Sequence, residues 1–431
     1  MTDIDDEKSP VSRSSSPTLP GPLRPYGEIF GVPGAWQFSV AGLVGRMPMA
    51  MFGLGTVLLI SATTGKYGIA GAVSATGSLG YAFAAPRIAR QFDTRGQRRV
   101  LLPLLAVFAV ATAMLIVAVE LHLPTWAYFV PGAIAGTAMP AVGTLVRARW
   151  SVLLAGSPQL HTAFSFESVA DEVCFIVGPV AVTLLATEVY PASGIGVAAL
   201  LCLGGSLWFA AQRATEPAIT PPEPGQGRRG RRRGTPAPGL VVLTPVYLLL
   251  GAMFVSVDLS TVAFAQQFGH KPLAGLILGA YAFGSATGGL WYGSRQWRTP
   301  IAKRFALTLT LTVLGVATFW AQPNLITLTC GIYLCGLAIA PTLIAGYGLV
   351  EAQSRPGRRT EAMSWLSSGI GVGLAVGSSA VGFIIDAHGA RFGYAFAAVC
   401  GVASAVTCLA GLHRLNVPTA SASAPAPSPA P

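Results

Sequence analysis

Charge is what this sequence has least of. Asp, Glu, Lys and Arg together make up 10% of its 431 residues, against about 25% in an ordinary soluble domain. Apolar residues account for 52% and the mean hydropathy is +0.59. A water-soluble fold is therefore excluded and a multi-pass membrane protein indicated. Lysine is nearly absent, four of 28 basic residues, a bias in keeping with a GC-rich bacterial genome. The six cysteines (Cys174, Cys202, Cys330, Cys335, Cys400, Cys408) all sit in apolar runs without metal-ligand or framework spacing, so no disulfide and no metal is expected. The five histidines are dispersed at predicted helix ends. No P-loop, H-E-x-x-H or G-x-S-x-G occurs, which leaves an integral-membrane enzyme without its usual motifs. No cofactor is expected either.

What the sequence has is a series of apolar runs. They cover 36–62, 68–88, 100–120, 125–146, 160–187 and 191–211, then 240–263, 272–293, 302–321, 325–350, 361–386 and 391–412. Each is long enough to cross a hydrocarbon core of about 30 Å as a helix. The expected fold is all-α and membrane-integral, with twelve transmembrane helices in two bundles of six over 36–212 and 240–413. Flanking and joining them are an acidic then Ser/Pro/Arg-rich tail over 1–35, a Pro/Gly-rich basic linker over 213–239 and a low-complexity tail over 414–431, all expected to be disordered. With both termini in the cytoplasm, 24 of the 28 Lys and Arg fall on that side, Lys66, Lys271 and Arg391 fall outside, and Arg46 is embedded. That is the positive-inside distribution. The linker cluster Arg228, Arg229, Arg231, Arg232 and Arg233 is then a topology determinant facing anionic lipid, and nucleic acid is not an expected partner. A plasma-membrane location and a monomer are expected.

The run His161–Glu188 carries Glu167, Asp171 and Glu172. If the helix enters the membrane near Leu160, Asp171 lies roughly 16 Å deep. A carboxylate there costs about 2.5–3.5 kcal/mol even on a mild insertion scale, so these acids must face water, protons or a buried cation. Glu167 and Asp171 share one face, and Glu172 lies nearer Ser165 and Ser168. Arg46 sits at similar depth in the first run and is the expected counter-ion. Asp258, in the seventh, is a further candidate for proton uptake. Tyr281, Tyr333, Tyr347, Trp365 and Trp36 are aromatic residues able to contact a substrate.

The two halves repeat each other. Arg95 and Arg98 recur as Arg295 and Arg298, Pro140 as Pro341, and Ser165, Ser168 and Gly178 as Ser364, Ser367 and Gly377. Such duplication is typical of transporters that rock two bundles around a midplane site. The glycines Gly284/Gly288 and Gly369/Gly373/Gly377 have small-x-x-x-small spacing, expected to bring the eighth and eleventh helices against the other half.

On these residues the chain resembles the major facilitator superfamily. The most specific element is the loop after the second helix, Gly-x-x-x-Asp-x-x-Gly-Arg-x-Arg in that family, present here as Ala89, Asp93, Gly96, Arg98 and Arg99. The resemblance implies a gating loop in which Asp93 reaches a neighbouring helix end. Gly178-Pro179 is similar to a fragment of the motif of antiporter-type drug exporters, whose fourth-helix arginine is missing from 125–146. The resemblance thus implies proton-coupled export, by antiport, of small amphipathic organic molecules such as drugs or secondary metabolites. Import or facilitated passage of a small metabolite is the alternative. Proton coupling is expected at Asp171, Glu172, Glu167, Arg46 and Asp258, and a mainly apolar cavity at Ser165, Ser168, Tyr281, Tyr333 and Trp365.

Overall fold

The computed structural model describes residues 24–65, 67–219, 239–270, 273–354 and 357–415. Twelve long helices run through them: α1 Ala35–Thr64, α2 Tyr67–Arg95, α3 Gln97–Glu120, α4 Trp126–Leu153, α5 Leu160–Val189 and α6 Ser193–Ala211, then α7 Leu240–Gln267, α8 Leu273–Gly293, α9 Ile301–Ala321, α10 Leu325–Gln353, α11 Arg359–His388 and α12 Ala390–Ala410. Eleven of them are long and apolar enough to cross a membrane. The exception, α2, has the length (29 residues), but its uncharged stretch before Arg87 is diluted by Gly, Ser, Thr and Tyr, and it ends in Arg87, Arg90, Asp93 and Arg95. The fold is all-α and consists of two pseudo-symmetric six-helix bundles, α1–α6 and α7–α12.

Within each bundle, glycines let backbones close on one another. Gly45 of α1 meets Gly205 of α6, and Gly136 of α4 meets Gly77 of α2. The stripes on α8 and α11 do the same inside the second bundle, where Gly284 and Gly288 pack on the backbone of Tyr333 and Leu337 in α10. Gly373 packs on Leu248 of α7. This corrects the expectation that they face the other half. Between bundles, α2 packs on α11, and α5 on α8 and α10.

Two helices are interrupted. Pro48 has no N–H to donate, and α1 bends there, one residue after Met47. In α4 the residues Met139–Ala141 leave the helix, and the Val142 N–H turns to the Pro140 carbonyl (2.9 Å). Pro341, at the matching position of α10, lies within a continuous helix. The duplication is thus broken at the position where the site lies.

The expected tail over 1–35 includes a short helix, Arg24–Phe30, with Tyr26 and Ile29 buried. The Tyr26 hydroxyl donates to the Leu290 carbonyl (2.8 Å), and Phe30 packs edge-on against Trp150 and Phe166. Apolar residues at i, i+3 and i+4 explain it, a spacing hidden by the Ser/Pro/Arg-rich surroundings. The basic cluster Arg228–Arg233 and most of the linker and C-terminal tail lie outside the described residues.

All helix ends near Asp93 share one face. A reporter fused after Arg414 is expected in the cytoplasm and one inserted near Leu123 outside. The reverse pattern would overturn this topology.

Candidate functional site

The site is built on α5. Glu167 and Asp171 are one turn apart and point toward α1 and α4, while Glu172, about 100° further round, points toward α8.

Arg46, 2% exposed, stands at the bend of α1. It donates from Nη1 to Asp171 Oδ1 (2.8 Å), from Nη2 to Glu167 Oε2, and from Nε to the Gly42 carbonyl (3.1 Å). Glu167 also accepts from Ser39 Oγ (2.7 Å) and Trp150 Nε1 (2.9 Å). It is sealed from solvent, and both its oxygens are engaged. A buried ion pair with every oxygen and donor engaged is the arrangement that offsets desolvation.

Asp171 is different. Its second oxygen accepts from Arg147 Nη2 (2.7 Å), and its side chain is 23% exposed. Arg147 lies in the second segment of α4, and its guanidinium stands 4.4 Å over the ring of Tyr347 in α10. One carboxylate therefore joins α1, α4 and α5, and the arginine beyond it touches the other bundle. This corrects the expectation that α4 supplies no arginine. The interruption at Met139–Ala141 restarts the helix and carries it to Leu153, past the expected end at 146. Arg147 and Arg149, both counted as cytoplasmic, are consequently buried. Arg149 binds Gln97 Oε1, the Phe209 and Gln212 carbonyls and Thr215 Oγ1, which makes it an anchor between α4 and the end of α6. The signal was present in the sequence: the apolar run continues after Arg149 as Trp-Ser-Val-Leu-Leu.

Around Asp171 opens a small cleft of about 50 Å³, lined by both bundles. Arg46, Tyr81, Thr144 and Arg147 come from the first, Tyr347 and Ser367 from the second, and the interrupted stretch Met139–Ala141 of α4 forms one wall. The Tyr347 hydroxyl and Ser367 Oγ are 3.0 Å apart. The cavity is expected to be mainly apolar; Pro48, Met49, Met139, Pro140, Ala141 and Val142 supply such a lining here, and Arg46, Arg147 and Asp171 set charges into it.

On the other side of α5, Glu172 accepts from Ser285 Oγ of α8 (2.6 Å). Asp258 on α7 makes no hydrogen bond or ion pair among the described residues. Tyr281 lies within electrostatic reach of both acids, and its buried hydroxyl has no partner. Neither Glu172 nor Asp258 has a cation partner among the described residues.

The remaining expected residues fall elsewhere. Ser165 is fully buried against Gly293 of α8, and Ser168 is buried without a hydrogen-bond partner. Tyr333 stacks on Phe283 (6.1 Å between centroids). Trp365, two residues from Ser367 and so nearly opposite it on α11, is 42% exposed and does not line the cleft. Ser367 replaces it there.

Asp93 accepts from the backbone N–H groups of Thr360 (3.2 Å) and Glu361 (3.0 Å), capping the start of α11 across the bundle boundary. Gly96 follows with φ 90°, a conformation open to glycine. Glu216 then accepts from the Arg98 N–H (2.9 Å), while the Arg98 and Arg99 guanidinium groups bridge nothing between bundles among the described residues. Further contacts on this face are Thr162 Oγ1 to the Gly293 carbonyl (2.7 Å) and Arg359 to the Ser151 carbonyl (3.1 Å). Among the described residues, every hydrogen bond between bundles lies on the Asp93 face or at mid-depth. The molecule is closed on that face.

The sequence profile described as Major Facilitator Superfamily matches residues 241–431. No curated protein sequence matches the chain. Among solved structures, the human organic anion transporter MFSD10 (TETRAN) is 18% identical with a TM-score of 0.65, covering 89% of this chain and 98% of its own. A bacterial homologue of the iron transporter ferroportin, in an outward-facing state, is 14% identical with a TM-score of 0.68, covering 88% and 98%. The E. coli fucose:proton symporter FucP is 13% identical with a TM-score of 0.67, covering 89% and 99%. The fold is that of the major facilitator superfamily. These likenesses, a symporter and an organic anion transporter among them, overturn the expectation of efflux by drug antiport. Gly178, one of the residues behind that expectation, packs closely against Ala50 and Met51 of α1.

Proposed function

We propose that this protein is a proton-coupled importer of a small polar metabolite, working by alternating access of the cleft between its two bundles. One observation carries the reading. Of the four carboxyl groups on α5 and α7 at mid-depth, Glu167 and Asp171 are held by Arg46 and Arg147, whereas Glu172 and Asp258 have no cation among the described residues. A membrane-embedded acid without a counter-charge is a default proton site. Glu172 reaches the second bundle through Ser285 and Asp258 belongs to it, so loading a proton alters contacts across the boundary that must slide. Arg147, Tyr347 and Ser367 supply hydrogen-bonding and stacking groups for the metabolite. The likeness to a fucose:proton symporter supports proton coupling by analogy of fold.

The experiment is uptake into proteoliposomes. A panel of sugars, amino acids and small carboxylates should contain a solute that accumulates when the outside is acidic, and collapsing the pH gradient should stop the accumulation. Equilibration without accumulation would make the protein a facilitator. No movement of any solute would end the reading.

The closed face gives a second expected result. Asp93→Asn keeps the side chain's shape but loses the charge that favours a helix N-terminus, worth up to about 1 kcal/mol. The closed state should lose about fivefold in population. Uptake at normal expression should slow accordingly, and wild-type rates would reduce Asp93 to a determinant of insertion.

A further inference from the structure

The loop after α2 has a counterpart after α8, but the two make different contacts. In the first, the Asp93 carboxylate caps the first-turn amides of α11. The corresponding position in the second is Gly293, which has no side chain to offer, and a Cβ there would overlap Ser165. This copy faces the start of α5, whose first turn receives no side-chain cap. From that loop the Gly293 and Arg295 carbonyls reach it, meeting Thr162 and the His161 ring, and the Glu28 carboxylate accepts from Gln159 Nε2 (3.0 Å) just before it. The duplicated latch has lost its carboxylate on one side.

Beside the uncapped start of α5 lies a pocket of about 550 Å³, with Pro158, His161 and Phe164 of the first bundle facing Trp297, Arg298 and Arg304 of the second. Its chemistry is the reverse of the Asp93 contact. The Arg304 guanidinium donates to the Tyr292 hydroxyl (2.8 Å) and lies 5.5 Å and 5.8 Å from the rings of Tyr292 and Trp297. Its Nε is buried with no hydrogen-bond partner. Arg298 is exposed and makes no ion pair among the described residues. The acid on the wall, Glu351, is engaged by Arg359 at 3.4 Å. Two guanidinium groups and a helix N-terminus therefore border one pocket, next to the place that a carboxylate holds in the sister loop and that Ser165 fills here.

We propose that this pocket binds a phosphate oxyanion, which compensates for the missing carboxylate by tying the start of α5 to the loop after α8. A phosphate offers enough acceptor oxygens to meet a guanidinium fork and first-turn amides together. The apolar wall of Phe164, Ile301 and Ile344 suits an attached chain or ring. An anionic phospholipid headgroup and a soluble phosphate ester share this chemistry; basic pockets between helices at the cytoplasmic face are places where such headgroups lodge. Bound across both bundles, the anion favours the closed face. The site is separate from the cleft and independent of what the protein transports.

The test uses the full chain in phosphatidylcholine nanodiscs, with two additions made separately at matched ionic strength: phosphatidylglycerol as about a third of the lipid, or millimolar inorganic phosphate. The unfolding midpoint is expected to rise in at least one arm. A rise with phosphatidylglycerol alone identifies a lipid headgroup, and a rise with inorganic phosphate identifies a soluble ligand. Arg298→Gln, on an exposed side chain that folding does not need, should weaken the effect about tenfold, as loss of one charge-assisted contact does. Arg304→Gln should do the same. Arg95→Gln, which removes a charge from the sister loop, should leave it intact. No rise in either arm, or equal loss in Arg95→Gln and Arg298→Gln, overturns the proposal.

Discussion

Arg46→Met is expected to cost about 3–5 kcal/mol of stability, the penalty for breaking a buried ion pair and leaving its partner charged. Glu167 would keep its bonds from Ser39 and Trp150 but face no cation, in a position sealed from water. Asp171 would retain Arg147 alone. Little folded protein should accumulate at growth temperature. The double variant Arg46→Met, Glu167→Gln should recover much of the loss, because the orphaned charge is gone and the amide oxygen can still accept from Ser39 or Trp150. Unfolding midpoints of the two variants in one detergent decide the matter. A single variant as stable as the wild type would show that the network contributes nothing to folding.

The second large effect concerns coupling. Glu172→Gln and Asp258→Asn are expected to abolish accumulation against a gradient while leaving exchange of solute across the membrane in place. The amide at 172 can still accept from Ser285, so the contact between bundles survives while the proton site does not. Rates of counterflow and of uphill uptake, measured on the same vesicles, separate the two. If both variants, and the pair combined, still accumulate solute under a pH gradient, the protons travel elsewhere and Asp171 becomes the next acid to neutralise.

Much of this architecture was legible in the sequence because it rests on length and polarity. Apolar runs located twelve helices, most to within a few residues, although α2 and α4 run seven residues past their expected ends, and the acids of α5 stood out as charges in a hydrocarbon setting. Arg46 was identified as their partner by depth alone. What the sequence hid depended on a backbone event. The break at Met139–Ala141 restarts α4, and only then does Arg147 come to lie inside the membrane beside Asp171. Rotation was the second difficulty: Trp365 and Ser367 are equally plausible by depth, yet 200° separates them on α11, and only the packed structure selects Ser367. The helix Arg24–Phe30 was masked by composition, since three apolar residues weigh little in a stretch otherwise rich in Ser, Pro and Arg.

The interrupted stretch of α4 has one more consequence, for how mutational maps of this protein will look. Because the Val142 N–H bonds to Pro140 rather than to Ala138, the Ala138 carbonyl loses the acceptor role a continuous helix would give it. Met139, Pro140 and Ala141 line the cleft. Any recognition done by those peptide groups is invisible to alanine scanning, since no substitution removes a carbonyl. A scan of the cleft should therefore leave a residue of specificity that no single side chain accounts for, and changes in the length or turn of this segment should alter it where point replacements do not.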